Sequence, residues 1–169
     1  MKAKAIAALL LLCLLAAGCA GCASQIQAVN LVEGITAAPG TGKPADDRFL
    51  GAQADLSAKL FRAAAAESRG ENVLISPLSI QLALTMTANG AAGETRCEME
   101  ALLGGGIPLG TLNEYLSAYT DALPSGEGYK LALANSIWLR DTPTLRVEKD
   151  FLQTNADYYG AQIYNAAFV

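Results

Sequence analysis

Asn72 to Met99 read NVLISPLSIQLALTMTANGAAGETRCEM, and the order of residue types sets out a local architecture. Val73, Leu74 and Ile75 form a β-branched and aliphatic run, long enough for a buried strand and too short for a helix. Pro77 disfavours helical backbone at Ser76 and places a break there. Ser79 stands where an N-cap is expected, ahead of Ile80 to Ala88, which is apolar on nearly every side and so reads as a core helix. Asn89-Gly90 tolerates positive φ and is a plausible stop for that helix. Thr95 and Glu98 have the spacing of a capping box, with Met99, Leu102 and Leu103 on one face behind it and Gly104-Gly105-Gly106 as the end.

The same pattern continues outward. Leu56, Leu60, Phe61 and the alanines Ala63 to Ala66 recur at helical spacing, with Gly70 beyond the end. Thr111 and Glu114 suggest another capping box, with Leu112, Tyr115, Leu116, Tyr119 and Leu123 on one face and Pro124-Ser125-Gly126 as a break. Lys130 to Arg140, KLALANSIWLR, reads as a strand buried on both faces, with Asn135 and Ser136 its unusual members. A helix over Glu148 to Tyr159 follows, then Gly160 and a last strand, AQIYNAAF. Asn72, Ser76 and Ser79 put polar groups beside a buried helix, where they serve as caps and backbone partners if nothing else is asked of them.

SPLSIQLAL, NGAAGET, LANSIWLRD and FLQTNADYYGAQIYNAAF, in this order, resemble the N-terminal part of the serpin family from about Phe49 to Phe168. The resemblance implies an α+β fold in which these helices and strands belong to a large central sheet and its support, incomplete in this chain. It implies that Asn72, Ser76, Pro77 and Ser79 lie in the region beneath the sheet where strands part to admit an inserted loop, and that Gly90, Gly93 and Thr95 form the family's helix-turn-helix. It also implies a suicide-substrate inhibitor of serine or cysteine proteases. A protease cleaves a reactive-centre loop, is trapped as an acyl-enzyme, and is distorted as the loop enters the sheet. No stretch up to Val169 has the character of that loop or its hinge, so the chain is expected to be a fragment or truncated product and non-inhibitory alone. The alternative is a non-inhibitory serpin relative or truncated surface lipoprotein acting as an interaction module.

Met1 to Gly18 have a basic start, a short apolar run and small residues before a cut, as in a secretory signal. The run falls short of the roughly 20 residues a bilayer requires. Leu15-Ala16-Ala17-Gly18-Cys19 resembles a bacterial lipoprotein box, which makes Cys19 the expected lipidation site and the membrane a partner through a lipid anchor outside the cytoplasm. Ordinary cleavage, or Cys22 in place of Cys19, stays open. Residues 19–47, with APGTGKPADD near their end, read as a flexible linker, and 48–169 as the serpin-like part. Gly40-Thr41-Gly42-Lys43 is not a phosphate loop: Ala37 replaces its first glycine and Pro44 its magnesium-binding hydroxyl.

Composition removes several classes of function. Without histidine there is no Ser-His-Asp or Cys-His machinery, and no paired cysteines in the domain suggest zinc. Cys97 reads as a small, partly buried helix residue. No cofactor is expected, and no catalysis. A formal charge of −4 does not suggest a nucleic-acid binder, which leaves a target protease of the complete protein as the expected partner.

Overall fold

Asp46 opens the first helix by accepting the Phe49 N–H on its carboxylate at 2.9 Å, the interaction that gives Asp its preference for this position. The computed structural model describes residues 27–38, 40–123, 126–129 and 131–168. Within them run β1 (Ala28–Asn30), α1 (Asp47–Glu67), α2 (Pro77–Ala88), α3 (Gly93–Gly104), α4 (Leu109–Asp121), β2 (Ser136–Arg140), α5 (Lys149–Tyr159) and β3 (Gln162–Ala166). Helices α1 to α4 pack around one core that includes Phe49, Leu56, Leu82, Leu103, Leu112 and Leu116. Tyr159 and Ala161 join this core from the end of α5 and the start of β3. None of these helices is long and apolar enough to cross a membrane.

The sheet has the order β1-β3-β2. β2 and β3 are parallel, from Ser136 opposite Gln162 to Arg140 opposite Ala166, and α5 is the crossover that parallel neighbours require. Gly160 caps α5 with φ 55, a left-handed turn that favours glycine and swings the chain straight into β3. β1 runs antiparallel along the other edge of β3. The helix at 149–159 and the strand after Gly160 therefore stand where their periodicity places them.

Several expectations need correction. Within the stretch read as a linker, residues 27–38 and 40–46 lie against the body, carry β1 and bury Val32. They are held by backbone pairing with β3 and by Val32, Leu31 and Ile35, which pack with Leu152 and Ile163. Val73–Ile75 form no strand, and Leu74 is 98% exposed, because no backbone among the described residues lies alongside to pair with them. The long strand at 130–140 is reduced to Ser136–Arg140, with Leu131 49% and Leu133 44% exposed. α2 begins at Pro77 with Ser76 as N-cap, one turn earlier than a Ser79 cap would place it. It buries one face, with Ala83 and Thr87 exposed on the other.

Neither capping box forms. α3 starts at Gly93 after Ala92, so Thr95 lies inside the first turn. α4 starts at Leu109 after Pro108, and its free Leu109 N–H is taken by the Glu100 carboxylate of α3 at 2.9 Å. A side chain distant in sequence thus does the work expected of Thr111. Cys97 is exposed rather than partly buried. Met1 to Gly18 and Cys19 lie outside the described residues.

Candidate functional site

The first turn of α2 assembles the sequence-predicted serines. Ser76 Oγ and Ser79 Oγ lie 2.8 Å apart, and Ser76 Oγ also accepts the Ser79 N–H at 3.4 Å. Pro77 sits between them at the first helical position, where its missing N–H costs nothing. Both serines are exposed, and Asn72 lies apart from them, exposed and bonded to neither. The hydroxyl pair satisfies itself and the cap.

The turn between α2 and α3 explains its glycines. A Cβ on Gly90 would stand 3.2 Å from Phe151 Cδ2 and Cε2, so the small residue lets α5 approach. Gly93 has φ 58, backbone that a side chain disfavours. Gly90, Thr95, Ile137, Leu139 and Phe151 border a largely apolar cleft of ≈ 710 Å³ between this turn and β2.

The other end of α2 holds a cluster that sequence reading missed as a unit. Asn113 of α4 donates to Asn89 Oδ1 at 2.9 Å, and Asn89 donates to Asn155 Oδ1 of α5 at 3.1 Å. Asn155 Nδ2 donates in turn to Phe151 O at 3.0 Å and Met86 O at 3.3 Å. Tyr159 donates its hydroxyl to Asn113 Oδ1 at 2.5 Å. Burial pushes the Tyr159 phenol far above its ordinary range, with the neighbouring Tyr158 adding to the shift, so it remains a donor. Three amides and a phenol join α2, α4 and α5 in one directional network, and Asn135 ties on the approach to β2 by donating to Tyr159 O at 3.1 Å. Asn89 reads in the sequence as a turn residue, whereas Asn113 and Asn155 lie within α4 and α5, and only the packing of those helices against the end of α2 brings the three together.

Other titratable groups serve structure. The Tyr115 hydroxyl donates to Asp46 Oδ2 and, with the Phe49 N–H, holds the Asp46 carboxyl below its ordinary pKa. The Leu109 N–H, and secondarily Arg96, do the same for Glu100. Among the described residues no group of three or more His, Cys, Asp or Glu could hold a metal ion. What the geometry does show is a polar seam that joins α2, α4 and α5.

A sequence model of the family described as Serpin (serine protease inhibitor) matches residues 51–169. Human (Homo sapiens) neuroserpin is 31% identical over 117 residues, covering 68% of this chain and 28% of neuroserpin. Leukocyte elastase inhibitor of Sus scrofa is 30% identical over 110 residues, covering 65% of this chain and 29% of the inhibitor. The crystal structure of tengpin, a thermophilic serpin, in the native state superposes with a TM-score of 0.77 at 47% identity, over 85% of this chain and 36% of tengpin. The chain thus spans well under half the length of the relatives it matches.

Proposed function

The chain belongs to the serpin family, and on that premise we propose that it forms the base of a protease inhibitor. In this reading the helices and β2–β3 are the platform of a larger protein that traps serine or cysteine proteases; leukocyte elastase inhibitor is, by its name, an inhibitor of one such protease. The observation that carries the reading is the state of β2. It pairs with β3 along one edge, while its other edge takes no strand among the described residues. Trp138 on it stacks on Tyr164 at 4.6 Å yet stays 48% exposed. An open edge and half-covered aromatic rings suit a sheet that continues into further strands.

The polypeptide of 169 residues alone does not inhibit, on this account, and the complete protein does. Incubated with elastase-like and trypsin-like proteases, the complete protein is expected to give a stoichiometric, SDS-stable adduct, and the isolated chain none. Cleavage of the complete protein without an adduct would favour the second reading, a non-inhibitory interaction module. That reading draws on the exposed Leu131, Leu133 and Trp138.

The location we propose is extracytoplasmic, with a lipid on Cys19. Cys19→Ala should then move the protein from the detergent phase to the medium. Unchanged partitioning would remove the anchor from the account. Catalysis, cofactors and nucleic acid have no place in this reading.

A further inference from the structure

Residues 27–38 and 40–46 lie along the body. β1 pairs with β3 from Ala28 opposite Ala166 to Asn30 opposite Tyr164, and the Leu31 N–H donates to Ile163 O at 2.8 Å. Val32 packs against Leu152 and the fully buried Ile163. The segment then crosses α5, where Gln153 donates to Thr36 O at 3.1 Å and the Ala38 N–H donates to Asp157 Oδ1 at 2.8 Å. Gly40 passes so close to Tyr158 that a Cβ there would stand 2.4 Å from its Cε1, and one on Gly42 would stand 2.9 Å from Ala118 Cβ on α4. The path ends with the Lys43 N–H on Glu114 O at 3.0 Å and the Lys43 ammonium 4.6 Å from the centre of the Tyr115 ring.

Most of these contacts run through backbone and small residues, as when an extended peptide adds itself to a sheet edge. The body's side of the contact is built from core: Ile163 is fully buried and Leu152 is buried as well. The segment's side is different. It has a three-residue strand, one buried side chain in Val32, and otherwise exposed or half-exposed residues. Little side-chain burial is the mark of a unit able to open locally while the core stays folded.

We propose that the β3 edge and the adjoining flanks of α5 and α4 form a binding groove for an extended strand, filled in cis by residues 27–46 as a removable strap. Its trans occupant is the same segment of a second copy of this chain, which presents the same backbone donors, the same apolar Val32 and the same glycines over Tyr158 and Ala118. The groove does not depend on what the complete protein inhibits.

The test is binding of a fluorescent synthetic peptide of residues 27–46 to the full-length protein and to two variants altered only in the strap. Leu31→Pro removes the donor to Ile163 O, and Gly40→Val drives a side chain into Tyr158. A strap held in cis competes at a high effective concentration, so both variants should bind the peptide more than tenfold more tightly than wild type. A scrambled peptide should bind none of them. Equal affinity for all three proteins, or equal binding of the scrambled peptide, would overturn the groove. Failure of both variants to fold would also overturn the proposal, because the strap would then be an obligatory part of the core.

Discussion

Asn155 is the residue on which the polar seam turns, since it accepts from Asn89 and donates to two backbone carbonyls. Replacing it takes the partner from the half-buried Asn89 amide and from the Met86 carbonyl, and leaving buried polar groups unpaired costs about 1–3 kcal/mol. Asn155→Ala should lower the urea unfolding free energy by that order, while Thr87→Ala, on the exposed face of α2, should change it little. Asp46 carries a pH signature. Its pKa in the fold is below the ordinary 3.8, chiefly through the Tyr115 hydroxyl. Its contribution is therefore complete above that ordinary value and is lost as pH falls through the depressed folded value. Wild type should melt higher than Asp46→Asn at neutral pH, and the two melting curves should converge in strong acid. A constant difference across that range would mean that ionisation of Asp46 does not matter.

At the scale of the element, α2 links the sheet's support to the core. Leu82 is buried in it and Leu84 only half-buried. Leu82→Ala should cost about 2–5 kcal/mol, and Leu84→Ala clearly less, as read from denaturant midpoints. Equal losses would mean that α2 is buried all round in the protein as assembled. Elements were legible in the sequence where local signals and packing agree: α5 ends at Gly160, whose left-handed backbone caps it, and β3 follows within the stretch AQIYNAAF. They were illegible where a partner decides. Val73–Ile75 have strand residues without a neighbouring backbone, whereas Ala28–Asn30 have little pattern but a waiting edge on β3. The N-terminus of α4 belongs to the same class, because its acceptor is Glu100 on α3 rather than a residue in its own first turn.

At the scale of the molecule, the sequence marks Ser76 and Ser79 as polar groups beside a helix but not their pairing, and it gives no sign of the asparagine seam. Directional networks between helices need three-dimensional neighbours, and a single chain of residue types does not supply them. The whole also shows an asymmetry. One edge of the small sheet is closed by β1, and the other, along β2, is open among the described residues. An account in which this chain is the platform of a larger inhibitor places the missing strands on that open edge. It is tested most directly by the size of the product made from the native locus, detected through an epitope at the exposed Arg69-Gly70 turn. The account predicts a mature protein roughly twice the mass of this 17.5 kDa chain or more, given that the matched region is 36% of tengpin. A stable, folded product no larger than this chain would contradict it.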